Sequence, residues 1–237
     1  VQTSNWSPEK SRHHQRRSQQ TRLEEMPEIR SYEVAKRRRK DGLLRYARSS
    51  QSQSGEDGII AAIFGALDEE PPSGSQRERF VVDVGAWDGV HLSNSHALLV
   101  SDDAKEATWR GLLIEADPKR FAELKALHDP LGNATVRAFA SCSAKSHQSL
   151  PAIMKRHHVD KGFDLLSVDI DGPDYWLLKA TLEAGYRPKV ALVEFNPTIP
   201  HDVVFIQDRD DKVRQGTSLA AFDELAKAFR YRLAETT

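Results

Sequence analysis

Cysteine and long apolar runs are scarce in the sequence, and each absence excludes a class of protein. The chain has a single cysteine, Cys142, so no internal disulfide can form and no Cys-x-x-Cys pair is available to bind structural zinc. No apolar run approaches the roughly 18 to 20 residues that span a bilayer, and no secretory hydrophobic segment stands at the beginning. We therefore expect a soluble protein without a membrane span, in the cytoplasm or in an organelle such as the mitochondrial matrix.

Charge is nearly balanced overall but unevenly distributed along the chain. Residues 1–50 contain 13 Lys and Arg against 6 Asp and Glu, whereas residues 51–237 contain 21 against 29. The composition changes after the serine- and glutamine-rich stretch that follows this basic part. We predict a basic N-terminal extension over residues 1–48 and an acidic domain over residues 49–237.

The extension has too few apolar residues to form a core of its own. Residues 1–22 are rich in Gln, Ser, Arg and His, a composition typical of disorder, and residues 24–48 have helical potential around the run KRRRK at 36–40. A solvated basic helix is the simplest interpretation. RNA or a partner protein could also bind residues 1–48 through these charges.

The rest of the sequence alternates between helical and strand patterns. Apolar residues recur at helical spacing over 56–67, and further helices are predicted near 92–100, 118–128, 149–157 and 173–185. Short apolar runs predict five buried strands, FVVDV (80–84), GLLIEA (111–116), TVRAFA (135–140), DLLSVDI (164–170) and KVALVEF (189–195). This alternation predicts a Rossmann-like, doubly wound α/β fold with a mainly parallel sheet.

Carboxylates stand at the ends of four of the five predicted strands. They are Asp83, Glu115, Asp169 with Asp171, and Glu194. Ligands of such sheets bind outside the carboxyl ends of the strands, and an unpaired carboxylate is costly to bury. The pattern therefore favours a polar ligand at this edge. Asp117, which precedes Pro118, is instead typical of a helix N-cap.

Two glycines follow the first strand and indicate a tight turn. Gly85 comes directly after the strand and Gly89 four residues later, with Trp87 where dinucleotide-binding motifs have their middle glycine. We expect Gly85 to let a ligand approach the backbone and Gly89 to give clearance beside the following helix. The pattern disfavours a pyrophosphate and favours a nucleoside, with Glu115 at its ribose hydroxyls.

At these residues the sequence resembles class I S-adenosylmethionine-dependent methyltransferases, and more closely the FkbM-like methyltransferases. The similarity covers residue 50 to the end of the sequence. Its motifs are SQSGEDG (52–58), FVVDVGAWDGVHLSN (80–94), WRGLLIEADPKRFAEL (109–124), DLLSVDIDGPDYW (164–176), VALVEFNPTIP (190–200) and GTSLAAFDELAKAF (216–229). The resemblance implies S-adenosylmethionine as the cofactor.

The resemblance also implies a set of site residues. Gln53 and Asp57 lie in the segment expected to close over the cofactor, and Ala140 and Ser141 lie beside the adenine. The cofactor-binding residues are expected to be Gln53, Asp57, Asp83, Gly85, Ala86, Gly89, Asn94, Glu115, Ala140, Ser141 and Asp169. The sequence departs from the family in two ways: Ser141-Cys142 stands where many class I enzymes place an acidic or amide residue on the adenine amino group, and the family's domain continues with a final strand beyond YRLAETT. We expect either a sheet without that strand or a remainder that lies beyond residue 237.

Methyl transfer is an in-line displacement in which the protein aligns the reactants and removes a proton from a hydroxyl acceptor. We predict Asp171, Glu194 and Asn196 as the catalytic residues and assign no metal. An alternative is a divalent-cation site built from Asp169, Asp171, Asp174, Glu194 and Asn196. His91 is expected to be structural or solvated, Trp87, Tyr175 and Trp176 to serve packing, and Cys142 to be a small buried apolar residue.

Three functional hypotheses follow. The first is an S-adenosylmethionine-dependent methyltransferase that transfers a methyl group to oxygen on a small-molecule or glycan acceptor. The second is a methyltransferase fold that serves as a structural subunit of a larger mitochondrial or ribonucleoprotein assembly, anchored by residues 1–48. The third is an RNA or protein methyltransferase that docks through KRRRK. Fold alone does not distinguish them.

Overall fold

The computed structural model describes residues 42–68, 78–100, 108–143 and 145–237. The chain divides into two units, Val1–Tyr46 and Ala47–Thr237. Within the first, a 3₁₀ turn spans Leu43–Tyr46. Most of the predicted basic extension, including KRRRK, lies outside the described residues, as does most of the predicted loop at 71–78.

Five parallel strands form the sheet of the second unit. They are β1 (Arg79–Val84), β2 (Trp109–Glu115), β3 (Ala134–Arg137), β4 (Leu165–Val168) and β5 (Val190–Val193). Their order across the sheet is β3-β2-β1-β4-β5. All pairs are parallel, as in the register Val82 to Leu112 and Val82 to Leu166. The predicted doubly wound sheet is confirmed, and β3, β4 and β5 are shorter than the apolar runs that predicted them.

Six α-helices accompany the strands in the described residues. They are α1 (Glu56–Asp68), α2 (His96–Leu99), α3 (Pro118–His128), α4 (Leu150–Arg156), α5 (Asp174–Glu183) and α6 (Leu219–Ala228). The predicted cap is confirmed, because the Asp117 carboxylate accepts from the N–H groups of Lys119 and Arg120. Among the described residues, no helix is long and apolar enough to cross a membrane.

Both faces of the central strands β2, β1 and β4 are buried, as their continuous apolar runs predicted, whereas the edge strands β3 and β5 are mostly half-buried. Successive residues of β1 alternate between faces. Val82 and Val84 pack into the larger core with α4, α5 and α6, whereas Val81 packs with α1, α2 and α3. Asp83 is two residues beyond Val81 and therefore lies on that second, smaller face.

The direction of α1 brings its first residues to the carboxyl edge of the sheet. The Arg79 guanidinium, at the start of β1, donates to the Phe64 carbonyl at 3.2 Å and pairs with Asp68. The end of α1 thus lies beside the start of β1. A 13-residue helix and a six-residue strand both span about 20 Å, so Glu56 and Asp57 lie near the edge where β1 ends.

Candidate functional site

The turn after β1 requires glycine because the end of β4 lies against it. Gly85 has a φ of +85°, and a Cβ there would lie 1.9 Å from the Asp169 carbonyl oxygen. The N–H groups of Gly85 and Ala86 donate to the Ile114 carbonyl at 3.0 and 3.1 Å. The backbone turn is therefore fixed between β2 and β4, at the carboxyl edge of the sheet.

Gly89 gives clearance beside a different helix from the one expected. Its φ is +79°, and a Cβ would lie 2.6 Å from Nε2 of His128, at the end of α3. The predicted neighbour was the helix next in sequence. That helix, α2, contacts the glycine through a hydrogen bond, since His96 Nδ1 lies 2.7 Å from the Gly89 carbonyl oxygen.

Asp83 is a buried carboxyl group held by the loop that follows the turn. The Ser95 hydroxyl donates to its Oδ2 at 2.6 Å, and the Ser93 hydroxyl accepts from the His96 N–H at 3.1 Å. Burial raises the pKa of Asp83 to about 6, against the effect of the Ser95 hydrogen bond. Asp83 thus fixes the start of α2, and Asn94 lies half-buried in the same loop.

Glu115 is buried at the end of β2 and organises the backbone on both sides of the candidate site. Its Oε2 accepts from the Trp87 N–H at 2.9 Å, and its Oε1 accepts from the Asp117 N–H at 2.7 Å. Each oxygen retains a second lone pair. The Trp87 ring is 47% exposed and has the Arg120 guanidinium 4.6 Å from its centroid, so the expected packing role of Trp87 is wrong. Its φ of +52° lies in the left-handed region.

The segment before α1 is fixed by Asp57. Its Oδ2 accepts from the N–H groups of Ser50, Gln51 and Ser52 at 2.7, 2.8 and 3.0 Å, and the Ser52 hydroxyl accepts from the Asp57 N–H. Although burial opposes it, these hydrogen bonds lower the pKa of Asp57. Gln53 is exposed. The predicted closure of this segment over a cofactor stays a prediction, and the contacts of Asp57 are structural.

Three carboxylates that follow β4 and β5 converge in the structure. Oxygen atoms of Asp169, Asp171 and Glu194 lie within 4.8 Å of one another, all on exposed side chains. Although these side chains are exposed, the surrounding protein removes part of their hydration. This partial desolvation and the charges of Asp169, Asp174 and Asp171 raise the pKa of Glu194 to about 7. Partial desolvation and the charge of Asp171 raise the pKa of Asp169. This acidic cluster, defined as Asp169, Asp171 and Glu194, can accept a proton or bind a cation.

Two other residues of the predicted divalent-cation site, Asp174 and Asn196, form hydrogen bonds to backbone groups instead. Asp174 accepts from the N–H groups of Ile170 at 3.0 Å and Gly172 at 2.9 Å. Asn196 donates to the Gln215 carbonyl at 2.7 Å and accepts from the Thr198 N–H and hydroxyl. These bonds give Asn196 a structural role, and its predicted catalytic role stays a prediction.

The remaining expectations concern single side chains. His91 is exposed with Nδ1 2.6 Å from Asp88, and Cys142 is 3% exposed within the core, so both expectations are confirmed. Tyr175 is buried as expected. Trp176 is half-buried, and its indole N–H donates to the Gln207 carbonyl at 2.9 Å.

The connecting segment 197–217, between β5 and α6, supplies residues that the sequence interpretation missed. The Asp211 carboxylate accepts from the Ser141 hydroxyl at 2.7 Å and from the Cys142 N–H at 2.6 Å. Arg209 Nε donates to the Cys142 carbonyl at 2.7 Å. The length of this segment is a sequence signal that could have identified it. Loops longer than roughly 12 to 15 residues are uncommon and often functional.

The arrangement fits a phosphate-free nucleoside better than a nucleotide. Acceptor oxygens for ribose hydroxyls are present at Glu115, whereas the nearby charges of Asp83, Asp169 and Glu194 would repel a phosphate. A separate apolar groove of about 390 Å³ lies between α1, β5, α6 and residues 231–237. None of the predicted cofactor-binding or catalytic residues lines that groove.

Comparison with known proteins gives structural similarity at low sequence identity. No protein-family model matches the chain, and no curated protein matches it. One similar solved structure is a TehB-like SAM-dependent methyltransferase from Corynebacterium glutamicum, with 15% identity, a TM-score of 0.41 and coverage of 85% of this chain and 83% of that one.

Two further solved structures are similar over about half of their own length. One is a SAM-dependent methyltransferase from Geobacter sulfurreducens in complex with S-adenosyl-L-homocysteine, with 17% identity, a TM-score of 0.31 and coverage of 58% of this chain and 50% of that one. The other is fibrillarin from Aeropyrum pernix with natively bound S-adenosyl-L-methionine, with 18% identity, a TM-score of 0.33 and coverage of 56% and 53%.

Proposed function

We propose that the chain is an S-adenosylmethionine-dependent methyltransferase that transfers a methyl group to oxygen on a small molecule or glycan. The observation that carries the proposal is the gathering of Asp83, Glu115, Asp169 and Glu194 at one edge of a parallel sheet, around the Gly85 turn. When bound, the cofactor would supply a methyl group activated by a positively charged sulfur. An acidic, phosphate-repelling site suits that positive charge.

Glu115 has the position and the free acceptor capacity to bind ribose hydroxyls. It is 7% exposed and fixed by the N–H groups of Trp87 and Asp117, so its orientation is set before a ligand arrives. Carboxylates at the end of the second strand of related sheets accept from ribose hydroxyls in this way. Preorganisation lowers the entropy lost on binding.

Glu194 is the proton acceptor that the acidic cluster favours. A general base works best when its pKa lies near the operating pH, and the pKa of Glu194 is raised to about 7. Its carboxylate would take the proton of an acceptor hydroxyl as the new carbon–oxygen bond forms and the carbon–sulfur bond breaks. Asp171, within 4.8 Å, would accept a hydrogen bond from a second donor group of the acceptor and so help to orient it.

The proposal is tested by calorimetric titration of the full-length chain with S-adenosylmethionine and S-adenosylhomocysteine. We expect micromolar binding, weakened about tenfold or more in Glu115→Ala, because hydrogen bonds to a charged group are lost. Glu115→Gln keeps one acceptor oxygen and should lie between the two. Glu183→Gln, an exposed change on α5, is the matched control.

Thermal unfolding of each variant establishes that it is folded before its affinity is compared. Absence of binding by the folded wild-type chain would contradict the proposal and favour the structural-subunit hypothesis. Equal binding by wild type and a folded Glu115→Ala would instead place the cofactor away from β2.

A further inference from the structure

The connecting segment 197–217 places a carboxylate beside Ser141 and Cys142, in the loop that follows β3. No local sequence pattern predicts this contact. Asp211 is held there by the Ser141 hydroxyl at 2.7 Å and the Cys142 N–H at 2.6 Å. Arg209 fixes the same segment, because its Nε donates to the Cys142 carbonyl at 2.7 Å and its guanidinium lies 5.2 Å from the Trp176 ring centroid. Two residues of the segment therefore bind both backbone groups of Cys142.

Strand order determines which part of a bound nucleoside would meet Asp211. The acidic cluster follows β4 and β5, Glu115 ends β2, and the order is β3-β2-β1-β4-β5. A nucleoside with its ribose at Glu115 and its reacting group toward the cluster must extend its base in the opposite direction. The next strand that way is β3, about 4.8 Å further on, so the base would lie over residues 138–142.

The Asp211 carboxylate can discriminate between nucleobases by the hydrogen-bonding groups that they present. An ionised carboxylate accepts hydrogen bonds and cannot donate them. Each Asp211 oxygen accepts one described hydrogen bond, which leaves lone pairs for another donor. Although burial opposes it, the hydrogen bonds from Cys142 and Ser141 lower the pKa of Asp211, so the group is ionised at neutral pH. Adenine presents an amino donor at its six position, whereas hypoxanthine presents a carbonyl acceptor there.

We propose that Asp211 is the residue that reads the nucleobase of the cofactor, by accepting a hydrogen bond from the adenine amino group. This inference rests on the proposed function. In it, Asp211 contacts the cofactor directly, and Ser141 and Arg209 are positioning residues that hold the carboxylate. The connecting segment thereby supplies, from about 70 residues further along the chain, the acceptor that Ser141-Cys142 lacks.

The test compares S-adenosylhomocysteine with its deaminated analogue, in which hypoxanthine replaces adenine. Calorimetric dissociation constants for both are measured with full-length wild type, Asp211→Ala, Asp211→Asn and Ser141→Ala. Wild type should bind the adenine compound about tenfold more tightly or better. The adenine amino group would form a hydrogen bond to a charged carboxylate, whereas the hypoxanthine carbonyl would place one acceptor against another. Asp211→Ala should bring the ratio of the two constants near one.

The variants separate base recognition from a structural role. Asp211→Asn can donate from its amide to the hypoxanthine carbonyl, so its ratio should fall below that of wild type. Ser141→Ala removes a hydrogen bond that holds the Asp211 carboxylate, so it should lower the ratio part of the way toward one. A preference that is equal in wild type and both Asp211 variants would overturn the inference and leave Asp211 as a loop contact. Failure of wild type to bind either compound would contradict the proposed function itself, which is a distinct result.

Discussion

The ionisation of Asp83 should affect the free energy of unfolding, because this carboxyl group is buried. Its pKa is raised to about 6 by burial, against about 3.9 in an unfolded chain. Between these pH values the folded protein binds more protons than the unfolded chain, so the free energy of unfolding decreases as the pH rises. Above pH 6 Asp83 is ionised in the folded state, and the full free-energy cost of this buried charge then lowers the free energy of unfolding.

Replacing Asp83 by Asn should therefore stabilise the protein at neutral pH. Asn keeps an oxygen that can accept from Ser95, and it cannot ionise. We expect the free energy of unfolding to exceed that of wild type by on the order of 2 kcal/mol above pH 6, with the difference lost below about pH 4. Urea unfolding from pH 4 to pH 8 measures this. Asp160→Asn, at an exposed position, is the control, and a difference independent of pH would contradict the prediction.

Glu194 should control the pH dependence of methyl transfer. Because its pKa is raised to about 7, it is protonated and inactive as a base at lower pH. With a hydroxylated acceptor, kcat/KM should rise about tenfold per pH unit below 7 and level off above it. The apparent pKa will belong to the whole acidic cluster, since its members interact.

The Glu194→Gln variant should remove that titration and lower kcat about 100-fold or more. Its affinity for S-adenosylhomocysteine should stay within about twofold of wild type, because Glu194 is assigned to the acceptor and not to the ribose. A pH profile unchanged in this variant would assign the proton acceptor to another group.

At the scale of single elements, the structure requires glycine in the turn between β1 and α2 but not in α1. A Cβ at Gly85 would lie 1.9 Å from the Asp169 carbonyl oxygen at a positive φ, whereas a Cβ at Gly65 on α1 meets nothing within 4 Å. The neighbouring atoms therefore exclude a side chain at position 85 and leave room for one at position 65.

The pair Gly85→Ala and Gly65→Ala turns this difference into a prediction. Gly65→Ala should stabilise the protein by about 0.5 to 1 kcal/mol, the usual gain in a helix interior. Gly85→Ala should destabilise it by about 3 kcal/mol or more, because backbone must move and an unfavourable φ is retained. Chemical unfolding at neutral pH measures both, and similar stabilities for the two variants would show that the turn rearranges at little cost.

Elements were predictable from the sequence where the determining contacts are local. Continuous apolar runs identified all five strands, and both faces of the central strands β2, β1 and β4 are covered. Asp117 was predictable as a cap because its partners lie two and three residues away. The brief helix α2 was predicted too long, since the Ser95 hydroxyl donates to Asp83 of β1 and the Ser93 hydroxyl accepts from the His96 N–H, which keeps both serines outside the helix. Helix α6 carried a recognised motif but was not assigned a helix.

At the scale of the whole molecule, the site was predictable only as a set of strand ends. Topology brings Asp83, Glu115, Asp169 and Glu194 to one edge, and the sequence indicated that edge correctly. The path of the connecting segment was not predictable, because Asp211 reaches Ser141 across 70 residues and Asn196 bonds to Gln215 across 19. Such contacts depend on tertiary packing that no local pattern encodes.

The predicted basic extension over residues 1–48 can be tested by deletion. Residues 1–40 contain 11 Lys and Arg against 5 Asp and Glu. The compact domain begins further on: the Arg48 N–H donates to the Gly55 carbonyl at 3.2 Å, and the Arg48 carbonyl accepts from the Gly58 N–H at 3.0 Å. A deletion of residues 1–40 therefore removes basic charge without touching these contacts.

We expect the variant that lacks residues 1–40 to bind S-adenosylhomocysteine within about twofold of the full chain, because the carboxylates that define the site all lie in Ala47–Thr237. If RNA is a partner, the full chain should bind a single-stranded RNA probe with an affinity that falls steeply with salt, and the deletion should abolish that binding. Substituting Arg37, Arg38 and Arg39 by Gln should weaken it partially. Cofactor binding lost in a folded deletion variant would contradict independence of the domain, and absence of RNA binding by the full chain would contradict RNA docking through residues 1–48.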